Sequence, residues 1–415
     1  MEYSRRGRQL LPILIIALLA AITLAPTASG RSGRARAAQA GPFDTRGMWI
    51  WVLGASDHGN LSSIIAQAHH YKVTTLYIKS GDGTNTWSQF NPSLVSTLHA
   101  SGVRVCAWQY VYGSYPLREA KVGAAAVHDG ADCLVIDAEA EYEGRYWQAQ
   151  RYITSLRQLI GSSFPVALAG FPYVDYHPSF PYSVFLGPGG AQYNLPQMYW
   201  RDIGTTVNQV FAHTYTYNRP YQRPIYPLGQ VYNSPPRAQL ARFRELGVAY
   251  GATGVSWWDW QEAASYSWRA ISNWITKLSS SAAVTGMPVL RKGAAGDLVV
   301  WVQEHLRSAG EVVAVDGGFG PQTLSALKSF QLAHGLTADG VIGDATWTAL
   351  LGYPPASVTW SKPTKKKTAR RSRRLTSGAV AAADTGGAGT PGTPLSALLP
   401  DQGKELPGTP GAGQP

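Results

Sequence analysis

Cysteine, charge and metal-ligand spacing are all scarce in this 415-residue chain, and each scarcity removes a class of function. The two cysteines, Cys106 and Cys133, permit one disulfide at most. They fall in segments expected to be neighbouring strands. A bridge between adjacent parallel strands is sterically awkward, so a disulfide and two buried thiols both stay open. No histidine is patterned near either, which argues against a cysteine nucleophile. The nine histidines, His69-His70 included, show neither H-x-x-x-H nor mixed Cys/His spacing, so a zinc amidase or peptidase is disfavoured and no metal or cofactor is expected. Gly-x-Ser-x-Gly is absent, against an esterase. No Gly-rich phosphate fingerprint follows the first expected strand, against dinucleotide binding.

Charged residues make up 15% of the chain, and the formal net charge of +11 belongs to its ends. Residues 1–40 hold six Arg and one Glu, and residues 362–374 ("KPTKKKTARRSRR") hold eight Lys or Arg and no acid. Between them, residues 41–361 carry 21 basic and 21 acidic residues. A neutral folded part does not form a nucleic-acid face, so no nucleic-acid partner is expected. The basic run suits attraction to anionic wall polymers or lipid headgroups, or is simply a solvated tail.

Long apolar runs are also missing, except one. Leu10–Leu24 follows a basic start and precedes A-x-A-like sites at Ala35–Ala37 and Ala38–Ala40, the pattern of a secretory signal over residues 1–40. The run is short for a stable span. Cleavage and secretion are the expected fate, with an uncleaved anchor as the alternative.

What the chain has in quantity is aromatic surface, 14 Trp and 22 Tyr, as sugar-stacking sites or aromatic cores use. From Gly47, β-rich runs alternate with helix-length segments. Strands are expected at 47–53, 74–80, 103–111, 133–139, 165–171, 193–200, 224–231 and 253–260. The segment "PPRAQLARFRELG" is expected as a helix closing at Gly247, and 180–192 mostly as loop. Eight such units over residues 41–278 predict a (β/α)8 TIM barrel, an α/β fold. A Ser/Ala linker at 279–287 precedes a small all-α unit at 288–353. A basic, then Gly/Pro/Ala-rich disordered tail follows at 354–415. Within the small unit, "DGGFGPQT" (316–323) and "DGVIGDAT" (339–346) repeat a tight turn with Thr opening a helix; too few oxygen ligands are spaced for calcium.

In a barrel the C-terminal strand ends form the site. They supply Lys79 and Asp82, then Trp108, Gln109 and Tyr110, then Tyr173 and Asp175. Gln197, Tyr199, Trp200, Gln230, Trp257, Trp258 and Asp259 follow. The fourth strand carries "CLVIDAEAEYEG" (133–144), with Asp137, Glu139, Glu141 and Glu143 at every second position. Continued as a strand, these would face one side in steps of about 6.6–7 Å. Carboxylates ringed by aromatics and amides suit glycoside hydrolysis, which needs a protonated carboxyl at the leaving oxygen and a second group at the anomeric centre.

Resemblances to two barrel glycosidase families follow from these residues. "VIDAE" resembles the strand-four D-x-E of family 25 muramidases, which implies Glu139 as acid and Asp137 as its partner. "DAEAEY" resembles the D-x-D-x-E-Y of family 18 chitinase-type enzymes, with Glu139 in place of the middle Asp, which implies Glu141 as acid. "PQMYW" and "GVSWWDW" resemble family 18 runs, implying that Tyr199 aids the substrate N-acetyl group and that a Trp floors the sugar site. The first strand lacks the early Asp of the muramidases. Leu290, Gly293, Gly296-Asp297, Gln303, Asp316-Gly317, Phe330-Gln331, Asp339-Gly340 and Thr346-Trp347 lie in a pattern similar to the three-helix peptidoglycan-binding domain. The expectation is an exported wall glycosidase acting on peptidoglycan or a related N-acetylated glycan, against a rival non-catalytic wall-binding protein.

Overall fold

The computed structural model describes residues 41–272, 283 and 286–362. The expected signal segment, most of the linker and the basic run beyond Lys362 lie outside the described residues. Among the described residues, no helix is long and apolar enough to cross a membrane.

Eight parallel strands make one curled sheet: β1 (Arg46–Ile50), β2 (Thr75–Asp82), β4 (Arg104–Val111), β5 (Cys133–Ala138), β6 (Val166–Ala169), β7 (Tyr193–Asn194), β8 (Leu228–Gln230) and β9 (Val255–Trp258). A two-residue strand, β3 (Asn85–Thr86), folds back antiparallel on β2. The ladder runs β7-β6-β5-β4-β2-β1-β9-β8. The closed TIM barrel expected from sequence is not completed as a ladder. β7 and β8 meet only through isolated bridges at Asn194–Ile225 and Gln197–Leu228. The reason is chemical: Pro196 and Pro224 sit in this seam, and proline has no N–H to give to a ladder. Strands expected at 193–200 and 224–231 therefore shorten to two and three residues.

Period-two alternation sorts the strand side chains into two cores. Met48, Ile50, Leu76, Ile78, Ala107, Leu134, Ile136, Leu168 and Trp257 face the helices. Trp49, Tyr77, Cys106, Trp108, Cys133, Val135, Ala167 and Trp258 fill the inside of the curl. The inside is an aromatic stack: Trp49 lies on Tyr77 at 5.1 Å, and Trp258 meets Trp49 at 5.7 Å and Trp108 at 5.3 Å. Gly47 is required there, since a Cβ would come within 2.4 Å of the Tyr77 ring. Cys106 and Cys133 stand opposite one another in register, Cα atoms 4.6 Å apart, and form a disulfide within this stack. Of the two readings left open by the sequence, the bridge is the one found.

Helices α1 (Leu61–His70), α2 (Pro92–Ala100), α3 (Pro116–His128) and α4 (Tyr146–Ile160) cover the outer face, as do α7 (Val207–Asn218), α8 (Arg237–Ala249) and α9 (Ser265–Ser272). Short helices α5 (Tyr182–Phe185) and α6 (Trp200–Ile203) interrupt loops. The α8 helix runs two residues past Gly247, and Gly251, at φ +83°, turns the chain instead. Gly247 serves close packing, its missing Cβ lying 3.1 Å from Val255.

The small unit is three helices, α10 (Asp297–Ser308), α11 (Pro321–Ala333) and α12 (Asp344–Leu350). Its two Asp-Gly turns are built alike. Gln303 Nε2 donates to Asp316 Oδ1, Gly318 O and Thr323 Oγ1 at 2.9–3.0 Å, while its Oε1 accepts from Asp316 N and Gly317 N. Gln331 repeats this with Asp339, Val341, Thr346 and Gly340. The glycines adopt φ +74° and +73°, so the expected turn chemistry holds.

This unit is seated on the α/β domain. Asp297, fully buried, accepts from Ser183 N, Ser183 Oγ and Tyr221 OH at 2.7–2.8 Å. Trp301 Nε1 donates to Pro220 O at 2.7 Å. Residues 354–362, expected as the start of the tail, return to α4: Gln150 bonds Val358 O and Trp360 N, and Trp360 lies 4.2 Å from Tyr146.

Candidate functional site

The acidic segment is not a continuous ladder. Strand β5 ends at Ala138, and a 3-10 turn over Ala140–Tyr142 redirects the chain, pinned by the fully buried Tyr142 against Phe185. Asp137 keeps the inward face and is buried. Glu139 is half-buried at the mouth. Gln197 Nε2 donates to Asp137 Oδ1 and to Glu139 Oε1, each at 2.9 Å. The two oxygens are therefore at most 5.8 Å apart, twice that length. Glu141 accepts from Tyr110 OH at 2.8 Å. Glu143 leaves the mouth and pairs with His177 Nδ1 at 2.8 Å and Ser179 Oγ at 3.0 Å.

Crowding acids in a poorly hydrated mouth shifts the protons of Asp137 and Glu139. Burial, and then the charge of Glu139, hold the Asp137 carboxyl well above the ordinary range, with Lys79 opposing. Burial pushes Glu139 up to about 7; the Gln197 hydrogen bond lowers it and Glu141 raises it. Burial and the same three carboxylates keep the Tyr110 phenol protonated, a donor to Glu141.

The cationic residue of the mouth is committed elsewhere. Lys79 Nζ bonds Asp82 Oδ2 at 2.6 Å and sits over Trp87, Trp108 and Trp51 at 4.4, 5.0 and 5.7 Å. Tyr112 OH takes the other Asp82 oxygen at 2.9 Å. Trp108 and Trp258 form the floor beneath the acids. Beside Gln197 and Tyr199 opens a small recess of about 30 Å³, lined by Phe171, Pro172, Tyr173, Tyr176, His177 and Ile203. Its walls are predominantly aromatic.

Asp259 lies at the other side of Tyr199. It is fully buried, and neither carboxyl oxygen has a well-formed hydrogen bond. Burial, and then Glu262, raise it to about 8, with nearby backbone N–H groups lowering it in part. Tyr232 meets Tyr199 edge-on at 5.6 Å and donates to Asp202.

Three residues expected at the site are not brought to it: Gln109, Trp257 and Trp200, the last packed on Phe243 at 5.2 Å in the outer core. Gln109 follows the inward Trp108 on β4 and so faces the helices, its amide taken by Gly83 O and Glu119 O and its carbonyl by Tyr152 OH. Trp257 packs on Phe243 at 5.1 Å in the outer core, across a gap that only Gly229 leaves open. Gln230, by contrast, keeps the inward face with Leu228 at the end of β8, fully buried, its Oε1 accepting from Arg201 N at 2.8 Å. The alternation rule applied to Trp108-Gln109-Tyr110 and Trp257-Trp258 contained this signal. Residues the sequence reading passed over are Trp51, Trp87, Phe171 and Tyr176. The first directly follows β1 and had a strand-end signal; Trp87 arrives through the small β3 fold-back, which no periodicity announces. Among the described residues, no cluster of three or more His, Cys, Asp or Glu is arranged to hold a metal ion.

Residues 295–350 match the family model described as "Putative peptidoglycan binding domain". The chain is 39% identical over 64 residues to a zinc D-Ala-D-Ala carboxypeptidase of Streptomyces albus G, covering 15% of this chain and 25% of that one. It is 34% identical over 85 residues to the N-acetylmuramoyl-L-alanine amidase CwlL of Bacillus licheniformis, covering 20% and 23%. The chain thus spans about a quarter of these curated relatives. A fungal endo-β-N-acetylglucosaminidase of glycosyl hydrolase family 18 superposes on 55% of this chain and 96% of its own, with 13% identity and a TM-score of 0.41. A likeness that distant identifies no family for the α/β domain.

Proposed function

We propose that this chain is an exported, cell-wall-associated glycoside hydrolase that cleaves β-1,4 bonds of peptidoglycan or a related N-acetylated glycan. In this reading residues 41–278 carry the chemistry, residues 288–353 bind the wall, and the basic run adds attraction to anionic wall polymers. The observation that carries it is the Gln197 amide bridging Asp137 and Glu139 at 2.9 Å each, beside the Tyr199 recess. Two enclosed carboxyls held this close disfavour ionising together, so one keeps a proton, and that proton is what a leaving oxygen needs.

Glu139 acts as general acid. Its proton passes to the glycosidic oxygen as the C1–O bond breaks. The carbonyl oxygen of the substrate's N-acetyl group closes on C1 from the opposite side, and the Asp137 carboxylate stabilises the positive charge that develops on the acetamide. Water then opens this intermediate, giving its proton to Glu139. Tyr110 OH occupies one Glu141 oxygen as a donor, which supports Glu139 over Glu141 as the acid. Tyr199 faces the recess where the N-acetyl group would lie.

The test is release of reducing ends from purified peptidoglycan and from chitin oligomers by the full chain and by E139Q. Release by the unmutated chain with loss in E139Q is expected. No release from any wall or oligomer, with retained wall binding, would instead make this a binding protein.

A further inference from the structure

Beside the mouth runs a second groove, about 710 Å³, between the loop after β4 and the start of α4. Arg118, Arg145, Arg151 and Lys362 line it together with Trp147 and Gln148, and no carboxylate does. The Arg151 and Lys362 cations flank the Trp147 ring at 5.7 and 5.6 Å. Among the described residues, none of these four cations is in an ion pair. Four cations with no counter-charge repel one another, a cost that an anion removes. The 15-residue helix α4 starts here with no side-chain cap, adding its positive end. Gln148 Oε1 is buried with no hydrogen-bond partner, an acceptor short of a donor. The return of residues 354–362 along α4 delivers Lys362, the first of eight basic residues in 362–374, to this groove.

We propose that the groove binds a polyanion of phosphodiester-linked polyols. Guanidinium groups pair with phosphate oxygens in a fork geometry. Free hydroxyls between the phosphates give Gln148 its missing donor, which a bare polyphosphate lacks. Cations strung along an open groove match a repeating charge better than a single carboxylate. The proposal takes from the cell-wall reading only where such a polymer is met; binding is independent of catalysis.

The experiment uses the full chain and soluble poly(glycerol phosphate), with affinity measured against salt. R118Q/R145Q/R151Q is expected to weaken binding by roughly tenfold or more and to flatten its salt dependence, as loss of phosphate contacts does. Because Arg145 Nη1 also bonds Tyr112 O at 3.1 Å, R118Q/R151Q is measured in parallel. Both residues are exposed, and a smaller loss in the same direction is expected with unchanged melting. Q148L is expected to weaken poly(glycerol phosphate) binding but not binding of inorganic polyphosphate. Unchanged affinity in both arginine variants would overturn the proposal, the basic run then acting alone. So would an arginine-dependent affinity that persists on walls stripped of phosphodiester polymers but retaining stem-peptide carboxylates. Peptidoglycan binding by the stripped-wall assay reports separately on the cell-wall reading.

Discussion

Substituting Glu139 by Gln preserves the side chain's size and an oxygen able to accept from Gln197, and removes the transferable proton. General acid catalysis contributes roughly 10²–10⁴-fold, so kcat should fall by that factor while KM changes little. The pH profile makes the test sharper. With its pKa near 7, the Glu139 carboxyl is about 99% protonated at pH 5 and about 1% at pH 9. Activity of the unmutated chain should therefore fall through pH 7, about tenfold per unit at higher pH, and the residual activity of E139Q should lack that limb. Stability moves with the same proton. The folded pKa is raised above the usual 4.5, so the folded state gains stability when Glu139 is protonated, and loses it as pH rises from 4.5 through about 7. E139Q should thus be more stable than the unmutated chain at pH 8, by about 1–3 kcal/mol after allowing for solvent contact, and no more stable at pH 4. Reducing-end release across pH 4–9 and urea unfolding at the two extremes are the assays. Near-normal kcat in E139Q, with the limb abolished in E141Q instead, would refute the argument from Gln197.

D259N should stabilise the protein by about 1–3 kcal/mol at pH 9 and not at pH 4, because the raised Asp259 pKa of about 8 means folding favours its neutral form; thermal melting at both pH values checks the sign. C106A/C133A should cost about 3–4 kcal/mol in denaturant unfolding, from freeing a loop closed over a separation of 27 residues, and reduction of the unmutated protein should reproduce the shift. D297A leaves Ser183 and Tyr221 donors buried without their acceptor, at about 3 kcal/mol. Hydrogen exchange should quicken around Ser183 while the three-helix unit itself stays protected; unchanged exchange there would mean that Asp297 does not hold the two parts together.

How far the sequence could be read varied with the physics of each element. The long central strands were legible because an apolar run with period-two polarity has one stable placement, and β2, β4 and β5 fall within two residues of expectation. The seam was not, because a proline removes ladder bonds only where a neighbour would have been, and the neighbour of β7 is set by closure. The Asp-Gly turns were readable from local chemistry, whereas the buried Gln that organises each one lies 13 residues before Asp316 and 8 before Asp339.

By itself the sequence determined the alternation of strands and helices, the three-helix unit at the C-terminal side, the neutrality of the folded part and the acids at the end of the fourth parallel strand. These are local properties: periodicity, turn residues and charge are carried by neighbours in the chain. Tertiary structure alone decided which acids meet. It turned Glu143 away to His177, gave Glu141 to Tyr110, and joined Asp137 and Glu139 through an amide 58 residues further on. It also set four cations from three separate segments around one groove. Such convergence depends on how the sheet curls, and no stretch of sequence contains the distance across it.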